Sequence, residues 1–266
     1  MFTPPQIFGI VNITEDSFSD GGQFLAADKA IARAQKLLQD GAAAIDLGPA
    51  SSNPDASDVS PEEEIRRLAP VVNRLQAIGA TISIDSYRSE TQRYALSKKV
   101  AYLNDIQGFA DPEIYPELAE ADCKLIIMHS IHRIGKAQKI ESDPKTIMDT
   151  IYRFFEERIA ALETAGVQRE RMILDPGMGF FLGSNPEVSF EVLRNITALR
   201  ERLALPVFIS LSRKSFLRKI TGRGIEEIQA ATLSAEIYAA LQGVDFIRTH
   251  DARALSDGLK VLKAIY

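Results

Sequence analysis

The sequence contains no tryptophan, one cysteine and only three histidines among its 266 residues. The lone Cys123 excludes an intrachain disulfide framework and any metal site built from several cysteines. His129, His132 and His250 are too few and too scattered along the chain to predict a zinc site. No stretch approaches the roughly 20 consecutive apolar residues that a membrane-spanning helix needs, so we expect no membrane partner.

The chain also lacks a basic excess, because 31 Lys and Arg residues face 36 Asp and Glu residues, for a net charge of −5. Without a long basic run, we expect no nucleic-acid partner. Residues 1–14 lack a positively charged segment ahead of their short apolar run, so we expect no signal peptide and a cytoplasmic location. The composition, 45% hydrophobic and 25% charged, is typical of a globular protein with a substantial core.

Short apolar runs alternate with segments of helical spacing along the whole chain. Continuous apolar runs are typical of strands that are buried on both faces of a parallel sheet. The runs span residues 6–11, 43–47, 81–85, 101–105, 124–129, 171–175, 206–212 and 244–250. The helical segments span residues 26–41, 60–79, 89–98, 113–120, 143–165, 186–203, 226–241 and 252–265.

Eight strand–helix units in about 250 residues predict a TIM (β/α)8 barrel, an α/β fold. We expect residues 1–266 to form a single domain, since no linker or low-complexity segment interrupts the alternation. A doubly wound open sheet is the alternative. The Gly-x-Gly-x-x-Gly fingerprint expected after its first strand is absent, so the barrel is favoured.

Every predicted strand ends on a polar or charged side chain, and barrel enzymes place their sites at the carboxyl ends of the strands. Any one such residue could instead cap a helix or close a turn. Eight ends that converge on one mouth favour a functional site. The residues are Asn12, Asp46, Asp85, Asn104, Asp105, His129, Asp175, Arg213, Lys214, Arg248, Thr249 and His250.

The predicted loops and strand ends at this mouth carry further signals. Residues 14–22 are small and polar around one exposed aromatic, which predicts a mobile lid. Residues 212–215 place two cations at a helix start, which favours a carboxylate or phosphate ligand. Arg248 and His250 predict a second anion site on the next strand. Asn12 could hold Mg²⁺ together with substrate phosphates, because that ion is often bound through few protein ligands.

Five blocks of the sequence resemble the signature blocks of the dihydropteroate synthase family, in the order in which that family has them. They lie at residues 10–22, 104–106, 174–180, 212–215 and 248–250. The resemblance implies a transferase that has a TIM barrel, is usually a homodimer and belongs to the folate pathway. Such an enzyme joins 6-hydroxymethyl-7,8-dihydropterin pyrophosphate to 4-aminobenzoate and releases 7,8-dihydropteroate and pyrophosphate.

The resemblance also implies roles for individual residues. The pterin would be bound by Asp85, Asn104, Ile106, Met128, Asp175 and Lys214. The pyrophosphate would be bound by Asn12 with Mg²⁺, Arg248 and His250. The 4-aminobenzoate would be bound by Phe18, Ser52, Pro54 and Ser215. Cations around the leaving pyrophosphate would let the C–O bond break before the arylamine attacks, in an SN1-like reaction.

Two departures resemble the sulfonamide-resistance (Sul-type) branch of the family. Residues 51–54 read Ser-Ser-Asn-Pro where the family commonly has Ser-Thr-Arg-Pro, so one expected cation is missing. Residues 179–183 read Gly-Phe-Phe-Leu-Gly in place of Gly-Phe-Gly-Lys. We hypothesise that Phe181 narrows the aminobenzoate pocket, so that it admits the planar carboxylate but clashes with a tetrahedral sulfonamide.

Two other functions remain as alternatives. The pterin-binding barrel of a methyltetrahydrofolate–corrinoid methyltransferase would use Asp85, Asn104 and Asp175 as well, but it would not need the pyrophosphate group of Arg248 and His250. A non-catalytic pterin-binding paralogue is supported only by the missing arginine in the second loop. Release of pyrophosphate separates this binding module from an enzyme.

Overall fold

A computed structural model describes residues 2–13, 23–50, 58–131 and 141–266 of the chain. Three residues predicted to bind 4-aminobenzoate, Phe18, Ser52 and Pro54, lie outside these ranges. The lid predicted over residues 14–22 lies outside them as well.

Eight parallel strands form one sheet in the order β6-β5-β4-β3-β2-β1-β8-β7. They are β1 (Gln6–Asn12), β2 (Ala44–Gly48), β3 (Ile82–Asp85), β4 (Tyr102–Asp105), β5 (Lys124–Met128), β6 (Met172–Asp175), β7 (Phe208–Ser210) and β8 (Phe246–Thr249). A parallel bridge between Leu174 and Val207 joins the two end strands, and the Leu174 amide donates to the Pro206 carbonyl at 2.9 Å. The predicted TIM barrel is thus confirmed, and it is nearly closed.

The described segments contain ten α-helices around this barrel. They are α1 (Gln23–Gln39), α2 (Pro61–Ala77), α3 (Ser89–Ser97), α4 (Tyr115–Glu120), α5 (Ile147–Thr164), α6 (Pro186–Arg194), α7 (Ile196–Leu203), α8 (Ser215–Thr221), α9 (Gln229–Leu241) and α10 (Ala252–Ile265). Among these helices, none combines the length and the apolar character that a membrane crossing requires.

The eight predicted helical segments undercount these ten helices for two local reasons. The segment predicted at 186–203 divides at Asn195, whose side-chain amide donates to the Glu191 carbonyl at 2.9 Å and thereby competes with the helical hydrogen bonds. For the short α8, the sequence predicts only a helix start at Ser215. It ends after seven residues at Gly222, which has a φ of +67°.

Helix α2 shows how the sequence produces the outer layer of the barrel. The Ser60 hydroxyl accepts a hydrogen bond from the Glu63 amide at 3.3 Å, and Pro61 occupies the first helical position. The spacing of Leu68, Val71, Val72 and Leu75 places these side chains on one face, where all four are buried. This face packs on the barrel, so that the helix closes one side of the core.

The inside of the barrel has an aromatic floor. The ring of Phe8 meets the rings of Tyr102, Phe208 and Phe246 edge-on, at centroid distances of 4.9, 5.2 and 5.6 Å. Side chains alternate between the two faces of a strand. The next inward residues are therefore polar ones, such as Asn104 above Tyr102 and Arg248 above Phe246. The floor closes the barrel beneath these polar groups.

Replacing Phe8 with alanine should remove the ring that joins the other three aromatic side chains. We expect the free energy of unfolding to fall by about 3–5 kcal/mol, the usual cost of such a truncation in a packed core. Urea denaturation measures this loss. Val261→Ala, at a residue that is 60% exposed, is the control and should stay near the wild type. A Phe8→Ala protein as stable as that control would contradict the described floor.

Candidate active site

An arginine and two aspartates from three strands meet inside the barrel. The Arg248 side chain extends from β8 past β1, which lies between β8 and β2 in the sheet. Its Nε lies 2.6 Å from Asp46 Oδ2 on β2, and its Nη2 donates to Asp85 Oδ2 on β3 at 2.8 Å. Asp46 is fully buried. A buried carboxylate is stable only with a partner of this kind, so Arg248 holds both aspartates in place.

Burial shifts the protonation of the groups around this cluster. It raises the pKa of Asp85 to about 7, against the opposing effect of Arg248. It raises the pKa of Asp175 to about 6, against a hydrogen bond from the Gly177 amide. Burial also lowers the pKa of Lys214 to about 8, and repulsion by Arg248 acts in the same direction. These groups can therefore gain or lose a proton near neutral pH.

Asn104 and Asp105 follow one another on β4 but point to opposite sides of it. Asn104 faces the inside, with its Nδ2 3.5 Å from Asp46 Oδ2, and it is 1% exposed. Within the described residues, Asn104 Oδ1 and Asp46 Oδ1 are buried without a hydrogen-bond partner. Such orphaned atoms are expected where a ligand supplies the missing partners.

Asp105 has a structural role on the other side of the strand. Its carboxylate accepts hydrogen bonds from the Gln107 amide at 2.6 Å and from Gln92 Nε2 at 2.9 Å. These bonds tie the turn after β4 to α3. Of the Asn104–Asp105 pair, only Asn104 thus contributes to the interior of the barrel.

A glycine places Asp175 at the end of β6. Gly177 has a φ of +73°, and a Cβ at this position would lie 2.3 Å from the His129 carbonyl oxygen. Its amide donates to Asp175 Oδ1 at 2.9 Å. His129 Nδ1 contacts the Pro176 carbonyl at 3.1 Å, and burial lowers the pKa of His129 to about 4. His129 is therefore a neutral histidine that supports the turn.

An apolar cluster borders the polar interior. Ile106, Met128 and Phe181 are buried together, and Phe180 packs against them. Lys214 Nζ lies 5.0 Å from the centroid of the Phe181 ring, within reach of a cation–π interaction. Two residues predicted to face a pterin, Ile106 and Met128, thus share one surface with the residue predicted to discriminate against sulfonamides.

His250 lies at the mouth, at the end of β8. Its amide donates to Ser212 Oγ at 3.2 Å, and its Nδ1 lies 2.9 Å from the same oxygen. Burial lowers the pKa of His250 to about 3, and the positive charges of Arg213 and Arg248 act in the same direction. The cations around this neutral histidine favour the binding of an anion, because an anion would compensate their charge.

The structure brings together most of the described residues that the sequence predicts for the site. Asp85, Asn104, Asp175 and Lys214 meet inside the barrel. Ser215 begins α8 and lies beside the loop after β6. A Cβ added at Gly179 in that loop would be 3.1 Å from Ser215 Oγ. Asn12 ends β1 and is exposed.

The partners of Arg248 and the role of Asp46 are the points at which the structure differs most from the sequence prediction. Arg248 is predicted to bind pyrophosphate, but in the structure its guanidinium is paired with the two aspartates, so that role stays a prediction. The sequence predicts Asp46 only as a polar strand end, without a role. The signal for it is a charged residue within an otherwise apolar run, Ala-Ala-Ile-Asp-Leu at 43–47.

Within the described ranges, no group of three or more His, Cys, Asp or Glu side chains is arranged to hold a metal ion. Asn12 supplies one neutral amide oxygen at the mouth. That donor fits Mg²⁺ that is held mainly by water and by substrate phosphates.

Comparisons with known proteins agree with this geometry. The family described as pterin binding enzyme matches residues 8–250. The chain is 59% identical over 259 residues to a dihydropteroate synthase type-2 from Escherichia coli, which covers 97% of this chain and 95% of the relative. A dihydropteroate synthase structure from Xanthomonas albilineans with 4-aminobenzoic acid has a TM-score of 0.90 and 34% identity, covering 98% of this chain and 93% of its own.

A second Xanthomonas albilineans structure, in complex with 7,8-dihydropteroate, has a TM-score of 0.86 and 32% identity, covering 100% of this chain and 95% of its own. The barrel and its polar interior therefore define a pterin-binding enzyme. Within that class, the chain belongs to the dihydropteroate synthase family. The resemblance predicted from the five sequence blocks is confirmed.

Replacing Asp85 with asparagine should flatten the dependence of stability on pH. The folded-state pKa of Asp85 is about 7, whereas an unfolded aspartate titrates near 3.9. The folded wild type thus binds a proton that the unfolded chain has lost, and its free energy of unfolding falls as the pH rises from about 4 to 7.

We expect the free energy of unfolding of the variant to fall by roughly 2.5 kcal/mol less than that of the wild type between pH 5 and pH 8. Denaturant titrations at the two pH values measure this difference. Asp257→Asn, at an exposed residue on α10, is the control. Equal losses in the wild type and Asp85→Asn would contradict the raised pKa.

Proposed function

We propose that the chain catalyses the dihydropteroate synthase reaction, the transfer of a dihydropterin methylene group from pyrophosphate to the amine of 4-aminobenzoate. The observation that carries this proposal is the set of buried polar groups above the aromatic floor, in a chain of this family. The relatives with bound 4-aminobenzoic acid and 7,8-dihydropteroate support the same two ligands.

The interior fits the pterin ring by hydrogen-bond type and by shape. The ring presents amino and amidine-like N–H groups, and the Asp85 and Asp175 carboxylates are acceptors for such donors. Asn104 adds a buried carbonyl oxygen that has no partner among the described residues. Ile106 and Met128 offer apolar surface to the ring faces. Arg248 balances part of the negative charge, so that the carboxylates stay available as acceptors.

We assign the pyrophosphate to the mouth, near Asn12, Arg248 and His250. The positive charges that lower the pKa of His250 also favour a phosphate there. Negative charge develops on pyrophosphate as the C–O bond breaks, and fixed cations stabilise that charge more in the transition state than in the ground state. Bound Mg²⁺ would add charge neutralisation of the same kind, with Asn12 as its protein ligand.

The second substrate then attacks the methylene carbon. An arylamine is an adequate nucleophile towards a dihydropterin cation, so the mechanism needs no enzyme nucleophile. We place 4-aminobenzoate beside Ser215 and Phe181, with Phe18, Ser52 and Pro54 completing its pocket. Phe181 packs with Met128, and Lys214 Nζ lies 5.0 Å from its ring centroid. This position supports sulfonamide insensitivity through a narrow pocket.

We propose that residues 1–266 form one domain, that the protein is cytoplasmic, and that it forms a homodimer. Exposed apolar side chains on neighbouring helices support the homodimer: Ile220 on α8 is 64% exposed, Leu241 on α9 45% and Ile265 on α10 68%. Burying such surface against a second copy would be favourable.

The test of the activity is pyrophosphate release by the purified protein with dihydropterin pyrophosphate, Mg²⁺ and 4-aminobenzoate. We expect release that requires both substrates. Asp175→Asn should lower kcat/KM by about 100-fold, because a neutral amide presents an N–H to the pterin in place of an acceptor. Asp257→Asn on the outer surface serves as the control. Pterin binding without pyrophosphate release would favour a binding module.

Replacing Phe181 with glycine should make the protein sensitive to sulfonamides. The ring is 7% exposed and contacts the pterin-facing cluster, so its removal opens the pocket by the volume of a benzyl group. We expect the concentration of sulfamethoxazole that halves the activity to fall by about tenfold or more. Phe180→Gly, at the neighbouring half-buried ring, is the matched control. Unchanged sensitivity in Phe181→Gly would contradict the role of this ring.

A further inference from the structure

Helix α9 directs two buried polar side chains towards the ends of β7 and β8. Thr232 and Glu236 lie four residues apart and are 6% and 1% exposed. Residues at this spacing share one face of a helix. Neither side chain has a place in the chemistry above, yet a buried polar group is costly unless it has a partner. Their partners indicate what they do.

Thr232 holds the backbone just after β7. Its Oγ1 accepts a hydrogen bond from the Arg213 amide at 3.3 Å. Arg213 has a φ of +61°, a conformation that a non-glycine residue adopts only under constraint. The next residue is Lys214, whose side chain reaches the Phe181 ring. Thr232 therefore helps to fix the turn that directs Lys214 into the site.

Glu236 holds the end of β8 in a similar way. Its carboxyl lies beside the Thr249 side chain, which acts to lower the pKa of Glu236 as a hydrogen-bond donor would. The hydroxyl of Thr249, a fully buried residue, accepts a hydrogen bond from the Asp251 amide at 3.2 Å. Thr249 stands between Arg248 and His250, the two residues assigned to the pyrophosphate. The carboxyl thus fixes the strand end that carries both.

The second oxygen of Glu236, Oε1, has no such bond, and it is buried without a hydrogen-bond partner within the described residues. The side chain lines a small pocket of about 40 Å³ that His250 and Ser212 also line. The charged or titratable groups on the facing elements are Arg213 after β7, His250 after β8 and Asp251 before α10.

The charge state of Glu236 matters to an anion bound nearby. Burial raises the pKa of Glu236 to about 8, Asp251 acts in the same direction, and the Thr249 hydrogen bond opposes both. The carboxyl is thus mostly neutral at pH 7. Its ionisation above pH 8 would bring a negative charge close to the pyrophosphate.

We propose that Thr232 and Glu236 are positioning residues that hold the ends of β7 and β8 in the arrangement that binds the pyrophosphate group of the substrate. This inference rests on the proposed function and adds to it that two side chains of α9 hold the ends of β7 and β8. Neither residue touches the substrate. Each acts through a backbone segment that carries a cation or a histidine.

The test compares Glu236→Leu, Glu236→Gln and Thr249→Val in the intact protein. Leucine removes the acceptor for Thr249, whereas glutamine keeps a neutral acceptor of the same length. We expect Glu236→Leu and Thr249→Val to raise the KM for dihydropterin pyrophosphate by about tenfold, and to weaken inhibition by inorganic pyrophosphate by a similar factor. The KM for 4-aminobenzoate should stay within about twofold. Glu236→Gln should match the wild type at pH 7.

A second readout depends on pH. Inhibition of the wild type by inorganic pyrophosphate should weaken more steeply above pH 8 than inhibition of Glu236→Gln, since only the wild type gains a charge at this position. Lys214 loses its proton in both proteins, so its effect on inhibition cancels in the comparison. Glu226→Gln, at an exposed residue before α9, is the control and should follow the wild type.

The possible outcomes distinguish a failure of this inference from a failure of the proposed function. A wild type that releases pyrophosphate, with all variants behaving like it, would overturn the inference and leave the function standing. A wild type that neither releases nor binds pyrophosphate would overturn both. Equal losses for both substrates together with a lowered melting temperature would show a general structural role and contradict the inference. If Glu236→Leu does not fold, Thr249→Val and the pH comparison decide.

Discussion

The largely enclosed Arg248 is the constraint on which the interior of the barrel depends. Its guanidinium pairs with Asp46 and Asp85, which two other strands bring to the same place. Taking carboxylates out of water costs several kcal/mol each, and a paired cation offsets much of that cost. Without Arg248, Lys214 would have to balance the carboxylates above the aromatic floor. With Arg248, the same carboxylates remain fixed in position and ready to accept hydrogen bonds.

The aromatic floor and the polar layer work together because the barrel is nearly closed. The rings around Phe8 fill the lower end, so the aspartates above them are desolvated and their pKa values rise towards neutrality. Near neutral pH, the carboxyl groups of such a site can be either protonated hydrogen-bond donors or ionised acceptors. The backbone supports it at a few points, of which Gly177 is the clearest, since its lack of a Cβ lets the ends of β5 and β6 meet.

The sequence predicts the barrel well, because its strands are buried on both faces and read as continuous apolar runs. Gly41, Ser60 and Gly79 mark helix ends through local chemistry, which is why α1 and α2 are predicted closely. The division at Asn195 depends on a side-chain hydrogen bond that no local pattern reveals. The pairing of Arg248 with Asp46 depends on how far the strands are staggered, which the residues of one strand do not encode. Residues 104–106 and 174–180 identify the site through their resemblance to the family. The contribution of Asp46 is visible only once the strands are assembled into the sheet.

The most direct test of this account is the number of protons exchanged when the pterin binds. Calorimetric titration with 6-hydroxymethyl-7,8-dihydropterin at pH 6.5, in buffers with different ionisation enthalpies, measures that number. The account predicts a net release of protons, because Asp85 and Asp175 are partly protonated in the free protein and accept pterin N–H groups as carboxylates. Binding that exchanges no protons, or that takes protons up, would contradict the claim that these buried carboxylates form the pterin site.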